Sequence, residues 1–241
     1  MSTKKVPART GSTVTRRKRS AGSGRLLRQE RADTISHAAI EFFAEHGFKG
    51  QTRELAARAG VTQGLLYRHF PNKDAIIEKV YHDVFLSNWN PEWEVWIGDR
   101  AVPLRDRLVR FYKDYTKGIM KPEWIRLFLY FGLDGRGDFA KRYLKNMHQT
   151  IWYRIVAEVR HHSGRPSLDF EAIKVSEVEM VWALIASIFF IGVRHYVLGL
   201  TVPDDIDSII EAKIHAFLEG VPAAMADSPN QEAIFDLLPD M

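Results

Sequence analysis

The length, composition and charge of the chain describe an ordinary globular protein and exclude several other classes. The chain has 241 residues, of which 46% are hydrophobic and 27% charged, and it contains no cysteine. This composition excludes collagenous, low-complexity and wholly disordered chains, and the lack of cysteine excludes disulfides, thiolate zinc sites and cysteine nucleophiles. At roughly 150 residues per domain, the length predicts one or two domains.

Basic residues are concentrated at the N-terminus. Residues 1–28 contain nine Lys and Arg residues and no acidic one, whereas the rest of the chain has 25 basic and 30 acidic residues. Residues 1–27 are rich in Ser, Gly, Thr and Arg and have little to bury, so we predict a disordered basic arm. A basic arm on a mildly acidic body favours a polyanionic partner, although an arm that serves only solubility would have the same composition.

No segment of the chain is predicted to enter a membrane. The longest uncharged apolar stretch, residues 180–193, has fourteen residues, which is shorter than the roughly 18 that a spanning helix needs. No apolar segment follows the basic N-terminus as it would in a signal peptide. We therefore expect a soluble protein in the cytoplasm.

The first segment after the arm has the pattern of an amphipathic helix. Its apolar residues recur at helical spacing and are Ile35, Ala38, Ala39, Phe42 and Phe43. They form one stripe along a helix. Gly47 is placed to end this helix, because glycine readily adopts the left-handed conformation found after a helix C-terminus.

Three shorter helices are predicted to follow. Their ranges are 52–59, 63–70 and about 73–87. Thr62 can cap the second of them, and Leu66 and Phe70 fall on its buried side. Asn72, or the proline before it, opens the last.

The remaining two-thirds of the chain also has helical patterns. Residues 88–96, which contain three tryptophans, are predicted to form an aromatic loop. Long helices are predicted for residues 104–119, 122–132, 138–162, 168–198 and 204–219. No window shows the period of two that is typical of half-buried strands, so we predict an all-α protein.

The second and third predicted helices are joined by a tight turn that contains a glycine, which is the arrangement of a helix-turn-helix. In that motif the second helix enters the major groove of DNA while its apolar face stays packed on the scaffold. Four polar residues project from the other face of this helix, namely Thr62, Gln63, Tyr67 and Arg68. Gly64 lets the backbone come close to a phosphate or a base edge. An ordinary corner between two helices would show a similar pattern.

The exact residues of this region form a longer pattern. Residues 55–74 read LAARAGVTQGLLYRHFPNKD, and residues 45–48 read EHGF. These segments closely resemble the DNA-binding signature of the TetR family of transcriptional regulators, and the resemblance covers residues 29–80. It departs from the family at residues 50–53, where the segment before the second helix is one residue short.

The resemblance implies an all-α fold with an N-terminal three-helix helix-turn-helix domain. It also implies a larger C-terminal helical domain that binds a small molecule and forms a homodimer. We accordingly divide the chain into a basic arm (1–27), a helix-turn-helix domain (28–80), a ligand-binding and dimerisation domain (81–222) and a C-terminal tail (223–241).

The resemblance further implies which residues contact the phosphates of DNA. Tyr67 and His69 match the family's phosphate-contacting pair, and both donate hydrogen bonds from their ring tips. Lys73, at the start of the fourth helix, adds a positive charge and a helix N-terminus toward another phosphate. Thr52 is expected to contact phosphate at the start of the second helix.

The bases are expected to be read from the exposed face of the third helix. Glutamine pairs with adenine and arginine with guanine, so Gln63 and Arg68 are candidates together with Thr62. Leu65 either touches a thymine methyl or packs in the core. The full predicted DNA-binding set is Thr52, Arg53, Thr62, Gln63, Gly64, Leu65, Tyr67, Arg68, His69 and Lys73.

The predicted helix over residues 168–198 is apolar almost all round its middle. A helix that is apolar on all sides needs cover on all sides, and a monomer would leave one face exposed. We therefore expect this helix and the helix over 204–219 to pair with a second copy of the chain. A two-fold dimer is also what a palindromic operator requires.

The larger domain is rich in aromatic residues, which favour a pocket for an apolar or aromatic ligand, although any one of them is also explained as a core residue. Arg194 and His195 are polar residues in apolar surroundings and join the candidates. The predicted ligand-binding set is Trp124, Phe128, Phe131, Trp152, Trp182, Phe189, Arg194 and His195. No metal or other cofactor is expected, because the adjacent histidines 161 and 162 face different directions on a helix.

These observations predict a ligand-responsive DNA-binding regulator, a repressor that a small apolar or aromatic effector releases from a palindromic double-stranded operator. One alternative is a DNA-binding regulator whose C-terminal domain docks a protein instead of a small molecule. A more remote alternative is an enzyme on an all-α scaffold. The sequence has no Gly-rich phosphate loop, nucleophile elbow or His-Glu-x-x-His motif, so no enzymatic activity is expected.

Overall fold

The computed structural model describes residues 21–168 and 172–227, and for residues 21–28, 221–222 and 224–227 it describes the backbone alone. These residues form helices and no strand, which confirms the predicted all-α fold. The helices are α1 (Ala21–His46), α2 (Thr52–Arg58), α3 (Gln63–His69), α4 (Lys73–Tyr81), α5 (Glu92–Gly98), α6 (Leu104–Ile119), α7 (Pro122–Leu133), α8 (Gly137–Met147), α9 (Tyr153–His162), α10 (Val175–Tyr196) and α11 (Ile206–Asp227). Two π-helical segments, His82–Leu86 and His148–Trp152, continue α4 and join α8 to α9.

The ends of α1 agree only in part with the sequence-based expectation. Gly47 ends the helix as predicted, with a φ of +70°. The helix begins at Ala21, however, so that residues 21–27 of the predicted arm lie in α1. The rest of the arm, residues 1–20, lies outside the described residues.

The tryptophan-rich segment is the main error in the predicted elements. Residues 92–98 form α5 and not a loop. Trp93 and Ile97 are buried four residues apart on one side of this helix, and Asn90 accepts a hydrogen bond from the backbone N–H of Glu92 at 3.0 Å. Trp93 also donates from its indole nitrogen to Asp114 of α6 at 2.9 Å. The segment is therefore a helix anchored on the larger domain.

The long helices of the larger domain differ from prediction at their ends and in one interior. The predicted helix 138–162 is α8 and α9 with a π-helical turn between them. Helix α10 begins at residue 175 and not at 168, since Glu177 accepts a hydrogen bond from the backbone N–H of Lys174 at 2.8 Å and fixes the first turn there. Helix α11 runs to residue 227 and so includes the first residues of the predicted tail. Residues 228–241 lie outside the described residues.

The N-terminal domain is built on one face of α1. This helix packs against α2 and α4, and α2 packs against α3. The stripe predicted from the sequence faces this core, with Ile35, Ala39 and Phe43 fully buried. Leu66 of α3 and Ile76 of α4 are fully buried against it, so the short helices are held by a few apolar anchors.

In the larger domain α10 is the central helix, in contact with α7, α9 and α11. Gly192 brings α10 close to α7, because a Cβ at that position would lie 2.7 Å from the side chain of Ile125. In the described part of the chain α10 is the one helix long and apolar enough to cross a membrane. Its buried side fills the core of the larger domain.

The other side of α10 is exposed and is apolar between Glu179 and Arg194. Four exposed residues follow one another along the helix, namely Trp182, Ala183, Ala186 and Phe190. Phe190 is 52% exposed and Trp182 is 38% exposed. We call these four residues the α10 row.

Candidate functional site

The turn between α2 and α3 has the geometry predicted for a helix-turn-helix. The side-chain oxygen of Thr62 accepts a hydrogen bond from the backbone N–H of Leu65 at 3.2 Å, which caps the N-terminus of α3. Gly60 adopts a φ of +66° in the turn, a conformation that glycine adopts without strain. Gln51 precedes α2 at the N-cap position but makes no side-chain capping bond. Helix α3 therefore has a side-chain N-cap, whereas the side chain of Gln51 does not cap α2.

The face of α3 opposite Leu66 is polar and exposed. Gln63, Gly64 and Arg68 are exposed there, and Tyr67 is 40% exposed. A Cβ added at Gly64 would meet no atom within 4 Å, so the surface in front of this residue is open. The predicted recognition face is thus available to an external partner.

A hydrogen-bonded cluster joins the starts of α2 and α3 on this face. The hydroxyl groups of Thr52 and Tyr67 lie 2.9 Å apart. The side-chain amide of Gln63 donates to the Thr52 hydroxyl at 3.3 Å. These bonds hold the Tyr67 and Gln63 side chains in place before any partner binds, so that less side-chain entropy is lost on binding.

The remaining predicted DNA-binding residues surround this face. Arg53 is exposed on α2, while Leu65 and His69 are half-buried on α3. Lys73 donates from its ammonium to the carbonyl of Gly50 at 2.7 Å, and burial lowers its pKa. An ammonium has three N–H donors, and this bond uses one of them while it fixes α4 to the turn after α1.

The acidic residues of the N-terminal domain are largely paired away from the recognition face. Residues 29–80 contain seven basic and seven acidic side chains. Glu41 and Glu45 of α1 both bind Arg58, at 3.2 Å and 2.5 Å, and the hydrogen bond from Arg58 lowers the pKa of Glu45. Two further acids are paired with arginines of the larger domain, Asp74 with Arg136 and Glu78 with Arg142.

This pairing leaves Arg53 of α2 and Arg68 of α3 as exposed cations beside one exposed acid of α2, Glu54. Arg53 and Arg68 form no ion pair with any residue that the structure describes, and both are exposed. Lys73, which donates to the carbonyl of Gly50 just before α2, adds a third cation. A polyanion would therefore meet positive charge there.

The larger domain contains an aromatic cavity of about 150 Å³. It lies between α6, α7, α8, α10 and the π-helical turn after α8. Its lining residues are Tyr115, Trp124, Phe128, Tyr143, Leu144, Met147, Trp152, Trp182, Ile185, Ala186 and Phe189. The rings of Trp124 and Phe128 stack at a centroid distance of 5.2 Å with 11° between their planes, which gives the cavity one flat wall.

Five of the eight residues predicted to bind ligand line this cavity, and three do not. Phe131 is fully buried and stacks on Phe48 at 4.6 Å, so it packs at the junction of the two domains. Arg194 and His195 lie in the last turn of α10, and His195 is exposed with its ring against Tyr196. Polarity in an apolar stretch marked the end of the helix in this case and not the wall of the cavity.

The sequence analysis missed several residues of the cavity, among them Tyr115 and Tyr143. Their hydroxyl groups lie 3.0 Å apart in the interior. Burial raises the pKa of Tyr115 to about 12 and raises that of Tyr143 well above its usual range. On α8, Tyr143 and Met147 are buried four residues apart, and this amphipathic spacing was the signal that could have identified them.

The junction between the domains was also missed. Asp134, just after α7, accepts a hydrogen bond from the backbone N–H of Phe48 at 2.7 Å. It lies beside Gly47, where a Cβ would come within 2.7 Å of its carboxylate oxygen. The end of α7 therefore holds the turn between α1 and α2, and α8 holds α4 through Arg142 and Glu78 at 2.9 Å.

The chain is similar to known repressors in sequence. Residues 35–80 match the model of the bacterial regulatory proteins of the tetR family. The class D tetracycline repressor protein of Escherichia coli is 31% identical over 93 residues, which are 35% of this chain and 42% of that protein. The HTH-type transcriptional repressor KstR2 of Mycolicibacterium smegmatis is 27% identical over 185 residues, which are 69% of this chain and 79% of that protein.

The fold extends the similarity beyond the matched segment. A crystal structure of a TetR family transcriptional regulator from Pseudomonas syringae superimposes with a TM-score of 0.54, at 18% identity, over 79% of this chain and 96% of that one. At that identity the likeness concerns the fold. The match to the tetracycline repressor spans about two-fifths of the length of that relative. The helix-turn-helix geometry and the matched family model agree for residues 35–80, which are similar to the bacterial regulatory proteins of the tetR family.

Proposed function

We propose that the protein is a DNA-binding transcriptional regulator of the cytoplasm, which as a homodimer represses from a palindromic operator. A small apolar or aromatic effector bound in the cavity releases it. The observation that carries the DNA-binding part is the exposed face of α3, on which Tyr67 and Gln63 are fixed through Thr52. No enzymatic role is part of the proposal.

The face of α3 has the chemistry that reading a major groove requires. Gln63 and Arg68 offer the amide and guanidinium that pair with adenine and guanine, each worth about 1–3 kcal/mol of discrimination. Thr62 and Leu65 complete the reading edge. The contacts to phosphates are assigned to five side chains of α2, α3 and α4, namely Thr52, Arg53, Tyr67, His69 and Lys73. Gly64 allows the backbone of α3 to approach the DNA closely.

The α10 row supports a homodimer. Its four neutral residues lie on one side of the helix, and a second copy of the chain related by a two-fold axis would cover them with the same apolar surface. Such a dimer presents two α3 helices to half-sites about 34–36 Å apart. Docking of an unrelated protein on the α10 row is the alternative, and the mass of the purified chain in solution at micromolar concentration distinguishes the two.

The proposed path from the cavity to DNA is supported by helix α7, which contributes to the cavity wall and to the junction between the domains. Helix α7 carries Trp124 and Phe128 of the cavity wall and ends at Phe131 and Asp134 of the domain junction. A ligand that displaces α7 by a fraction of an ångström also displaces the turn after α1. A hundredfold loss of operator affinity needs about 2.7 kcal/mol of coupling.

Selection of bound sequences from random duplex DNA tests the proposal with the full chain. We expect a palindrome to be enriched, since two symmetric half-sites require a dimer. The triple variant Tyr67→Ala, His69→Ala and Lys73→Ala is expected to lose binding, while Arg105→Ala, an exposed change on α6, leaves it intact. A folded triple variant that keeps native affinity for the selected sequence contradicts the proposal.

The basic arm is assigned a separate contribution to DNA binding. Residues 1–20 contain seven basic residues and no acidic one, a composition suited to the phosphate backbone or the minor groove. Deletion of residues 1–24 is expected to lower operator affinity and to flatten its dependence on salt concentration. An unchanged salt slope rejects this assignment without affecting the role of α3.

A further inference from the structure

The cavity in the larger domain has an apolar wall with no charged group. All eleven side chains that line it are neutral. A charged ligand would lose its hydration on entering and would find no opposite charge. The chemistry of the wall therefore selects a neutral ligand.

One hydrogen-bond donor of the wall has no partner. The indole nitrogen of Trp152 is buried and makes no hydrogen bond, and the residue is only 5% exposed. Trp152 is the one residue that both lines this cavity and has an unpartnered buried polar atom in the described part of the chain. Buried donors in native proteins almost always have a partner, so this indole N–H lacks an acceptor that a bound molecule can supply.

The tyrosine pair supplies a second donor. Tyr115 and Tyr143 share one hydrogen bond, so that one hydroxyl donates and the other still has its own hydrogen to donate. Burial raises the pKa of both phenols, and both therefore remain protonated at neutral pH. The cavity thus offers hydrogen-bond donors to a ligand and no cation.

The volume limits the size of the ligand. A dry cavity of about 150 Å³ with aliphatic and aromatic walls is large enough for benzene, and this cavity has the same volume. Beside the stacked rings of Trp124 and Phe128, the wall has two edge-to-face pairs. Phe128 and Phe189 lie 5.4 Å apart at 68°, and Trp152 and Trp182 lie 4.7 Å apart at 72°. Such walls suit one flat ring with a small substituent.

We propose that the effector is a neutral, single-ring aromatic compound with a carbonyl or similar oxygen that accepts a hydrogen bond from Trp152 Nε1 or from the tyrosine pair. This inference rests on the proposed function, because it names the chemical class of the effector. It adds the acceptor oxygen and the exclusion of charged compounds to the general apolar character expected of the ligand.

Three probes of similar size test the inference by calorimetry on the full chain. They are acetophenone, which has the ring and the acceptor, ethylbenzene, which lacks the acceptor, and benzoate, which carries a charge. We expect acetophenone to bind at least tenfold more tightly than either of the others. Equal affinities for acetophenone and ethylbenzene, tighter binding of benzoate, or no binding of acetophenone to the folded chain would each overturn the proposal.

Variants locate the hydrogen bond. Trp152→Phe keeps an aromatic ring and removes the indole N–H, so the preference for acetophenone over ethylbenzene is expected to fall to threefold or less. Trp96→Phe is the matched control, because Trp96 lies outside the cavity wall and packs against Arg110 at 3.9 Å, and it is expected to preserve the preference. The double variant Tyr115→Phe and Tyr143→Phe removes the other two donors. If the preference for acetophenone survives in both this variant and the folded Trp152→Phe variant, the assignment to these donors is overturned. If a variant fails to fold, the ratio of the acetophenone and ethylbenzene affinities in the native chain decides.

Binding of DNA is measured separately, without any probe. If the chain fails to bind any selected duplex, the proposed function fails while the three probe affinities still decide the chemistry of the cavity. If DNA is bound and acetophenone shows no preference over ethylbenzene, the ligand class is wrong and the regulator stands. Saturating acetophenone is expected to lower affinity for the selected duplex by about a hundredfold.

Discussion

In the N-terminal domain the residues of the proposed function lie outside, on the exposed face of α3, whereas in the larger domain they lie inside, around an aromatic cavity. The outer face must fit a DNA duplex, whose groove and phosphate spacing are fixed, so residue types at each position are constrained. In the proposed function the cavity encloses one small molecule, and many sets of apolar side chains enclose a similar volume. This difference explains why the first region resembles a family signature in its exact residues while the second resembles the family in architecture.

The ion pairs of the two domains also differ in exposure, with one at the surface of the N-terminal domain and one buried in the larger domain. In the N-terminal domain Arg58 binds Glu45 at the surface at 2.5 Å. In the larger domain Arg160 binds Glu177 at 2.5 Å with both side chains only 1% exposed, and Arg160 also donates to the carbonyl of Ala172 at 2.8 Å. The buried pair connects α9 to the start of α10, so it is a structural element of the domain that holds the cavity.

The largest expected change in stability comes from breaking the buried pair of Arg160 and Glu177. Arg160→Met leaves the carboxylate of Glu177 buried without its partner, and we expect the free energy of unfolding in urea to fall by about 3–5 kcal/mol. The double variant Arg160→Met and Glu177→Leu removes both charges and is expected to recover most of that loss. Arg105→Met, an exposed change, is the control.

A double variant that is no more stable than Arg160→Met would break the comparison. It would mean that the pair is needed for more than its mutual charge compensation, and that the interior of the larger domain is as constrained in residue type as the surface of α3.

An intermediate effect is expected at the junction where the two regions meet. Asp134→Ala leaves the backbone N–H of Phe48 buried without an acceptor, which costs about 1–3 kcal/mol of stability. Because this bond connects α7 to the turn after α1, the variant is also expected to weaken the effect of acetophenone on operator affinity. Urea unfolding and duplex binding with and without acetophenone measure the two consequences.

Lys49→Ala is the control for the junction. Lys49 lies 3.6 Å from Asp134 but is 81% exposed, so its removal should change neither quantity appreciably. If Asp134→Ala lowers stability and leaves the response to acetophenone unaltered, the junction is structural only and the two regions communicate by another route.

The smallest effect is expected from helix caps within the N-terminal domain. Asn72 accepts a hydrogen bond from the backbone N–H of Ala75 at 2.8 Å and caps α4, so Asn72→Ala is expected to lower the free energy of unfolding by about 1 kcal/mol. Gln51 has the same position before α2 but makes no capping bond, and Gln51→Ala should change stability by less than about 0.5 kcal/mol. Equal losses for the two variants, measured by urea unfolding, would contradict the assigned caps.

Local chemistry made the N-terminal domain predictable. The stripe from Ile35 to Phe43, the stop at Gly47 and the cap at Thr62 each depend on residues within a few positions of one another, and the structure has all three. The helix α5 was missed because its signal, the spacing of Trp93 and Ile97, is only four residues long and follows a proline.

The ligand candidates were predictable only in part for a different reason. Aromatic residues mark a core, but which rings border an empty volume depends on how several helices are placed around it. Phe131 has the same side chain as Phe128, and it packs at the domain junction while Phe128 lines the cavity. Tyr115 and Tyr143 are distant in sequence, and their contact at 3.0 Å follows from the packing of α6 against the neighbouring helices.

The sequence by itself determined the all-α architecture, the helix-turn-helix and the side of α3 that is exposed, because these follow from helical periodicity, capping and turn chemistry between near neighbours in the chain. The tertiary structure alone decided the cavity, its unpartnered indole N–H and the bond from Asp134 to the turn after α1. Those features join residues that lie far apart along the chain, and their distances are set by how long helices pack, a property that no short stretch of sequence encodes.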